Sequence, residues 1–320
     1  MTENTKIVRN KKITDFTSGS PAKHILKFYW PLLFTSMLQQ VYNFVDMMIV
    51  GKGLGDHALA SVGNMGSLFF LIVGIFKWNR PILQKLAPNS SANNIKGILI
   101  GILIGFGSNG FCILMSVLLG NIKLTFNMFS PLVFLVFFFV VFIQSGAEEL
   151  CDRVYLYQKL RRRYKAPLIA IAGNAIVFTA LHLTNPGITA LPVISILVTG
   201  LLYSVLIYYY DCTWTVMMIH TTWNFTQSIV FGLPNSGVVS QYSLFSLDAA
   251  SATSGLFYDT AFGVEGSIGA IAVDFALLVA VILINRGKPE KADLWAQPEE
   301  NPPTSLSALQ GATPSRGPTA

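Results

Sequence analysis

The sequence contains few charged residues. Asp, Glu, Lys and Arg make up 12% of its 320 residues, against roughly 25% in a typical soluble domain. Hydrophobic residues make up 52%, and the mean hydropathy is +0.54, so the chain has too little polar surface to cover a water-soluble domain. Because the apolar residues occur in blocks of about twenty, the length that a helix needs to cross a bilayer, the sequence predicts a polytopic membrane protein.

Cysteine is also scarce, and its arrangement argues against two kinds of site. The chain has 3 cysteines, Cys112, Cys151 and Cys212, which lie far apart and form no Cys-x-x-Cys pair. This pattern favours neither a disulfide framework nor a thiolate zinc site. The net charge of +6 is better explained by where the basic residues lie relative to a membrane, so we expect no nucleic-acid partner.

The apolar blocks predict an all-α fold, a polytopic bundle of about eight transmembrane helices. The expected spans are residues 25–50, 58–76, 97–119, 126–146, 167–184, 190–210, 213–231 and 264–285. With both termini in the cytoplasm, all of the 22 Lys and Arg residues except Lys52 and Lys123 fall on the cytoplasmic side, as the positive-inside rule requires. Residues 232–263, which contain no Lys or Arg, are then an external loop.

Ionisable residues inside or next to the spans indicate where chemistry takes place. His182 and His220 are two of the 4 histidines, and both fall inside predicted spans, where such side chains are costly and suggest function. Glu149 and Arg153 are four residues apart, which favours an ion pair on a helix. Glu148 is thereby left free to act as a base.

Two further pairs have the same helical spacing. Phe178 and His182 are four residues apart, as are His220 and Asn224, so each pair shares one face of its helix. Each feature also has a simpler explanation: buried histidines can serve helix packing, and paired carboxylates are common at helix starts. Three polar groups on neighbouring helices favour a functional site, because all must turn away from lipid.

Three motifs, taken in order, resemble those of the CPBP (Abi, CAAX protease) family of intramembrane endopeptidases. They are Glu-Glu-x-x-x-Arg at 148–153, Phe-x-x-x-His at 178–182 and His-x-x-x-Asn at 220–224. Supporting similarity includes His-Leu-Thr-Asn-Pro-Gly at 182–187 and Phe-Gly-Val-Glu-Gly at 262–266. The resemblance covers residues 95–285, and three motifs in family order are far more specific than one.

The resemblance implies a set of catalytic residues, namely Glu148, His182, His220 and Asn224. By this resemblance Glu148 activates a water and His182 assists it. His220 and Asn224 stabilise the oxyanion that forms at the scissile carbonyl. Glu149 and Arg153 support the site. Two departures from the family pattern, Asp152 in place of an apolar residue and Val154 in place of glycine, bear on activity.

The resemblance leaves the role of a metal open. Two histidines and a glutamate can hold zinc, which would make Glu148, His182 and His220 the ligands of a Zn²⁺ ion. The same residues can act without metal, as a base and an oxyanion site. Asn224 suits a hydrogen-bond donor better than a ligand, so we favour a site without tightly bound zinc. We expect no organic cofactor.

The N-terminal segment resembles a different family. Residues 22–75 are similar to the start of a MATE-type multidrug transporter, in Pro31-Leu-Leu, Gln39-Gln40, Phe44-Val-Asp46, Ile49-Val-Gly51 and Leu54-Gly55. We therefore predict four parts. They are a basic tail with two MATE-like helices at 1–76, a cytoplasmic linker at 77–96, a protease-like membrane domain at 97–285 and a disordered Pro-rich tail at 286–320.

The leading hypothesis is an intramembrane endopeptidase in the bacterial plasma membrane. Its partners would be the lipid bilayer and a peptide or protein substrate, either membrane-anchored or free, within CAAX-type processing or bacteriocin self-immunity. The alternative is a transporter-like or non-catalytic membrane protein in which the polar cluster is vestigial. Loss of proteolysis on changing Glu148, without an effect of Asp46, separates the two hypotheses.

Overall fold

The computed structural model of the chain describes residues 85–89, 92–237 and 239–287. The predicted spans at 25–50 and 58–76, Asp46 and nearly all of the C-terminal tail lie outside these residues. Within the described residues the fold is predominantly helical. Its α-helices are α1 Ile95–Leu118, α2 Pro131–Glu149, α3 Tyr157–Arg163, α4 Pro167–Leu181, α5 Ala190–Tyr210, α6 Thr213–Phe225 and α7 Ile268–Asn285.

Four helical segments of the described residues are long and apolar enough to cross a membrane. They are Ile95–Leu118, Pro131–Arg163, Ala190–Tyr210 and Ile268–Asn285. The apolar helix α4 is shorter, with 15 residues. These helices agree with an integral membrane protein built as a helical bundle. The full number of eight spans and the cytoplasmic location of both termini stay predictions.

Two features depart from the sequence-based expectations. Residues 131–146 of the span predicted at 126–146 belong to a longer helical segment of 33 residues, Pro131–Arg163, because a π-helical turn at Leu150–Leu156 continues α2 into α3. Residues 126–130 of that predicted span lie before the helix. The all-α fold also contains one short antiparallel ribbon. Strand β1, Leu124–Phe126, pairs with strand β2, Phe245–Leu247, so that the predicted external loop is joined to the α1–α2 connection. Alternating Leu-Thr-Phe and Phe-Ser-Leu sequences suit such a ribbon.

Helix α1 packs closely against α6 through glycine. Gly101 and Gly105 are buried on α1, and a Cβ atom at either position would overlap the α6 backbone at Thr215 or Ile219. Small residues spaced by four allow two membrane helices to approach in this way. The contact fixes α6, which carries His220 and Asn224, against the rest of the bundle.

The helices alternate in direction, so the bundle has two distinct ends. A side-chain hydrogen bond from Ser204 to Asn174 joins α4 to α5, which run antiparallel. Hydrogen bonds from Thr199 to Asp274 and from Asn285 to Tyr210 join α5 to α7, which run parallel. We call one end the basic end; it holds residues 85–94, 164–166, 211–212 and the C-terminus of α7. We call the other the loop end; it holds residues 119–130, 182–189 and 231–267.

Residues 85–94 pack against the turn between α5 and α6. The Lys85 Nζ atom lies 2.9 Å from Asp211 Oδ2, and Asp211 adopts a left-handed conformation that ends α5. The Asn93 side chain accepts a hydrogen bond from the Trp214 backbone N–H and donates one to the Lys85 carbonyl. This part of the predicted linker is therefore a packed piece of the bundle.

Candidate active site

The carboxylate of Glu148 faces two histidines from different helices. Its Oε2 atom lies 3.8 Å from Nε2 of His182 and 3.8 Å from Nε2 of His220. Glu148 lies at the end of α2, His182 caps the C-terminus of α4, and His220 lies in the middle of α6. The structure thus brings together three residues that are far apart in sequence.

The other nitrogen of each imidazole is held by an oxygen. His182 Nδ1 lies 2.8 Å from the Phe178 carbonyl oxygen, and His220 Nδ1 lies 2.9 Å from Glu149 Oε1. A carbonyl oxygen can only accept a hydrogen bond, so Nδ1 of His182 carries the proton in this bond. In the neutral ring, Nε2 then has a lone pair that faces Glu148. In the same way, a carboxylate at Glu149 accepts a hydrogen bond from Nδ1–H of His220, so Nε2 of the neutral His220 ring has the lone pair.

Glu149 lies in a fully buried ion pair. Its Oε1 atom accepts a hydrogen bond from Arg153 NH1 at 3.2 Å, and both side chains are 0% exposed. The Arg153 guanidinium stacks over the ring of Phe178, 4.2 Å from the centroid, with Tyr203 at 5.2 Å. The i,i+4 pair expected from the sequence is therefore present, and it also orients His220.

The two departures from the family pattern lie in the π-helical turn that follows Glu149. Asp152 Oδ2 lies 4.0 Å from Arg153 NH1, and the Asp152 carbonyl accepts a hydrogen bond from Asn174 at 2.7 Å. Val154 is buried. The contact between Arg153 and Glu149 is retained beside both residues.

Asn224 is held on two sides. Its Nδ2 atom donates to Ser145 Oγ at 3.3 Å, and its Oδ1 atom accepts from Asn235 Nδ2 at 3.1 Å. An amide nitrogen has two hydrogens, so one remains for another acceptor. Asn235 comes from the predicted external loop, which therefore takes part in orienting Asn224.

His182, His220 and Asn224 line one cavity of about 40 Å³, large enough to hold water. Glu148 is not among the lining residues, but its Oε2 atom lies 3.8 Å from Nε2 of both lining histidines, so it lies beside this cavity. Phe178, the first residue of the second motif, also lines the cavity. The remaining lining residues were not predicted as site residues from the sequence; they are Ser195, Ile196, Thr199, Tyr203, Trp223, Ser236 and Glu265. Most are ordinary residues of apolar helices and carry no signal of their own.

Among these remaining lining residues, Glu265 has a recognisable sequence signal. It lies in Phe-Gly-Val-Glu-Gly at 262–266, three residues before α7 begins at Ile268. Its Oε1 atom accepts a hydrogen bond from the Ser236 backbone N–H. Burial raises the pKa of Glu265 to about 7, despite the lowering effect of that hydrogen bond. A second carboxyl group thus faces the cavity from the loop end.

The site has the donor types that zinc binds. Both histidines hold Nδ1 against an oxygen and leave Nε2 available, as metal-bound histidines do. Among the described residues, however, no three His, Cys, Asp or Glu side chains are grouped so as to hold a metal ion. Zinc binding by Glu148, His182 and His220 stays a prediction.

A comparison with protein families agrees with the motifs. Residues 130–226 match the family described as type II CAAX prenyl endopeptidase Rce1-like. The matched segment contains all three motifs and every predicted site residue. The resemblance to CAAX proteases is thereby confirmed for this segment, and it supports membrane endopeptidase activity in general.

A second comparison concerns the transporter-like segment. The chain is 29% identical over 111 residues to the probable multidrug resistance protein YpnP of Bacillus subtilis (strain 168), which covers 31% of this chain and 25% of that protein. The chain thus spans about a quarter of the length of this curated relative. The partial match is consistent with a MATE-like N-terminal segment. No solved structure matches the chain.

Proposed function

We propose that this protein is an intramembrane endopeptidase that hydrolyses a peptide bond with a water activated by Glu148. The observation that carries the proposal is the position of Glu148 Oε2, 3.8 Å from the Nε2 atoms of both His182 and His220. A water molecule to one side of these three atoms can lie within hydrogen-bond distance of both the carboxylate and one histidine.

In the proposed reaction Glu148 takes a proton from the water, whose oxygen adds to the scissile carbonyl carbon. His182, with its Nε2 lone pair, orients the water. The oxyanion accepts a hydrogen bond from the remaining N–H of Asn224, and from Nε2 of His220 when that ring is protonated. Glu148 then gives its proton to the leaving nitrogen, so that an amine and a carboxylic acid form.

Glu149 and Arg153 act through His220. Because Glu149 Oε1 accepts from Nδ1 of His220, it fixes the plane of the ring and stabilises the imidazolium form. Arg153 NH1 donates to that carboxylate at 3.2 Å, so the two buried groups form a pair where either charge alone would be costly. Both are positioning residues in this proposal.

The matched family supports a protein or peptide substrate at a membrane. Within the proposal the enzyme is an integral protein of the bacterial plasma membrane with about eight spans, both termini in the cytoplasm and a MATE-like N-terminus. CAAX-type processing and bacteriocin self-immunity are the two candidate settings.

The Glu148→Gln variant tests the proposal. It keeps the size of the side chain and removes the base, so we expect proteolysis by the purified full chain to fall by about 10²- to 10⁴-fold while membrane insertion is unchanged. An Asp46→Asn variant serves as the matched control and should retain activity. Near-normal turnover of Glu148→Gln would refute the assignment of the base.

The alternative function is a transporter-like or non-catalytic protein, and the partial match to YpnP is the observation in its favour. It predicts the opposite pattern of effects. Changes at Asp46 would then alter drug export or resistance, and the purified protein would show no Glu148-dependent proteolysis.

A further inference from the structure

We propose that Asn235 is a positioning residue of this site, carried on a fixed turn, which decides which end of the Asn224 side-chain amide faces the cavity. This inference rests on the proposed function, because it assigns a further residue to the same reaction. It follows from the chemistry of an amide, from the partners of Asn224 and from the contacts that fix the turn.

The side-chain amide of Asn224 has two ends of opposite character. Its Nδ2 atom donates hydrogen bonds and its Oδ1 atom accepts them, and a half turn of the amide exchanges the two with almost no change in shape. In the structure Nδ2 lies toward Ser145, and its second hydrogen remains for the oxyanion. After a half turn, a carbonyl oxygen would take the place of that N–H group and would repel the oxyanion. The proposed reaction therefore depends on one of the two orientations.

Asn235 is the neighbour that distinguishes the two ends of this amide. Ser145 does not, because a hydroxyl both donates and accepts and so can bond to either end at the 3.3 Å observed. Ser228 does not, because its hydroxyl donates to the backbone carbonyl of Asn224. Asn235 presents its Nδ2 atom to Asn224 Oδ1 at 3.1 Å, and an amide nitrogen only donates. Among the described residues, this contact is therefore the one that favours the observed orientation.

Asn235 lies in a turn, residues 234–237, whose conformation its surroundings impose. Ser236 and Gly237 have φ angles of 48° and 82°, and consecutive positive φ angles are typical of a type I′ turn. A serine in this left-handed region is strained and stays there only where neighbouring contacts require it. One such contact is the hydrogen bond from the Ser236 backbone N–H to Glu265. The turn therefore has one backbone conformation, in which Asn235 reaches Asn224.

Both ends of this turn are held by other parts of the bundle. Gln227, which follows α6, donates a hydrogen bond to the Pro234 carbonyl and accepts one from Asn109 of α1 at 2.8 Å. At the other end, a Cβ atom at Gly237 would overlap the Pro186 carbonyl, so this close contact requires glycine. The turn is therefore anchored to the end of α6 and to the segment that follows α4, and these anchors keep its position beside the cavity.

The Asn235→Asp variant tests the role of this contact. Aspartate has nearly the size of asparagine, but its ionised carboxylate only accepts hydrogen bonds, so Asn224 must turn its Nδ2 atom toward residue 235. The site then loses an oxyanion donor, which typically lowers kcat by about 10²- to 10³-fold. We expect a loss of about 10²-fold at neutral pH in the purified full chain, with KM little changed. A near-normal kcat in the folded variant would overturn the proposal.

Asn235→Ala separates the orientation of the amide from packing. Without a polar side chain at this position, both orientations of the Asn224 amide become accessible, so kcat should fall by only about twofold. A role in packing alone predicts the opposite order, because aspartate fills the space of asparagine and alanine does not. A larger loss of kcat in Asn235→Ala than in Asn235→Asp would therefore refute the role in orientation.

Gln241→Glu is the control for the added charge. It makes the same exchange of an amide for a carboxylate at an exposed position of the same loop, away from the residues that hold Asn224. This variant should leave kcat unchanged. A loss as large as that of Asn235→Asp would assign the effect to charge and would contradict the proposal.

The pH dependence of Asn235→Asp gives a second readout. A protonated carboxyl group can donate to Asn224 Oδ1 as the amide nitrogen did, so low pH should restore part of the activity. The quantity compared is the ratio of its kcat to that of the unmodified chain, because both proteins share the titratable groups of the site, which are Glu148, His182, His220 and Glu265. This ratio should rise several-fold from pH 7 to pH 5. A ratio that does not depend on pH would count against the role of the hydrogen bond.

Unfolding measurements test the contact without requiring activity. The thermal unfolding midpoints of Asn224→Ala, Asn235→Ala and the double variant are compared with that of the unmodified full chain in detergent. Both single changes break the same hydrogen bond, so the loss in the double variant should be smaller than the sum of the two single losses. Strictly additive losses would overturn the proposal. If the unmodified chain shows no Glu148-dependent proteolysis, the proposed function fails, whereas a non-additive result still supports the contact.

Discussion

One oxygen of Glu149 joins His220 to Arg153. Oε1 of Glu149 lies 2.9 Å from Nδ1 of His220 and 3.2 Å from NH1 of Arg153. The orientation of the histidine ring therefore depends on a buried ion pair. A substitution that breaks this pair should disturb the site by changing the orientation of His220.

Glu149→Gln should affect stability and activity together. The change removes the charge that compensates Arg153, and an unpaired buried charge costs about 3–5 kcal/mol. We expect a lower thermal unfolding midpoint in detergent and a large loss of proteolysis. Glu148→Gln is the matched control: Glu148 is partly exposed, so that variant should lose activity but keep the midpoint. Equal midpoints for the two variants would contradict the structural role of Glu149.

Glu265→Gln should change how stability depends on pH. Burial raises the pKa of Glu265 to about 7, so the folded state holds this proton more tightly than the unfolded state. Glu265 therefore adds to the free energy of unfolding at low pH. This contribution is lost as pH rises toward 7, by up to roughly 3 kcal/mol. Glutamine is neutral at every pH. The thermal unfolding midpoint of the variant minus that of the unmodified chain should therefore increase between pH 5 and pH 7. A difference that is the same at both pH values would contradict this prediction.

Removal of residues 1–76 should leave a functional protease. The site residues all lie beyond residue 145, and a chain that starts at Lys77 keeps the contacts of Lys85 with Asp211 and of Asn93 with Trp214. We expect correct insertion and retained proteolysis with some loss of stability. A chain that starts at Asn94 lacks both contacts and should be less stable. If the longer truncated chain folds but needs the 1–76 fragment for activity, the first helices form part of the site.

Chelation should leave proteolysis intact. No three potential ligands of the described residues are grouped to hold a metal, and the proposed steps need only Glu148, the histidines and Asn224. Activity in 1,10-phenanthroline and the metal content of the purified protein measure this directly. Loss of activity that stoichiometric zinc restores would instead assign Glu148, His182 and His220 as ligands.

The sequence predicted the long spans well because hydropathy reports burial in lipid directly. Helix α5 runs from Ala190 to Tyr210, as expected, since it is apolar throughout and ends at Asp211. The apolar span was expected to end at residue 146, whereas the structure continues the same helical segment to Arg163, because the polar residues end the hydropathy signal and not the backbone hydrogen bonding. Strand pairing between residues 124–126 and 245–247 has no local signal, since the partners are far apart in sequence.

The candidate site was recognisable to the extent that its residues are polar within apolar helices. Glu148, His182 and His220 attract attention for that reason, and the structure brings them together. Ser145 and Asn235, which hold Asn224, are ordinary residues by sequence. Glu265 lies in a motif that was noted, yet its position at the cavity depends on the folded loop from 231 to 267, which no helical periodicity describes.

The shortness of α4 has a consequence for the surrounding lipid. Its 15 residues span about 22 Å, whereas a bilayer hydrocarbon core is about 30 Å thick. Hydrophobic mismatch of this kind is relieved when the bilayer thins beside the short helix. His182 caps the end of α4, so head groups and water are drawn toward the level of Glu148. In the proposed reaction, hydrolysis inside the membrane would then need no permanent pore, because the thinned bilayer would supply the water path.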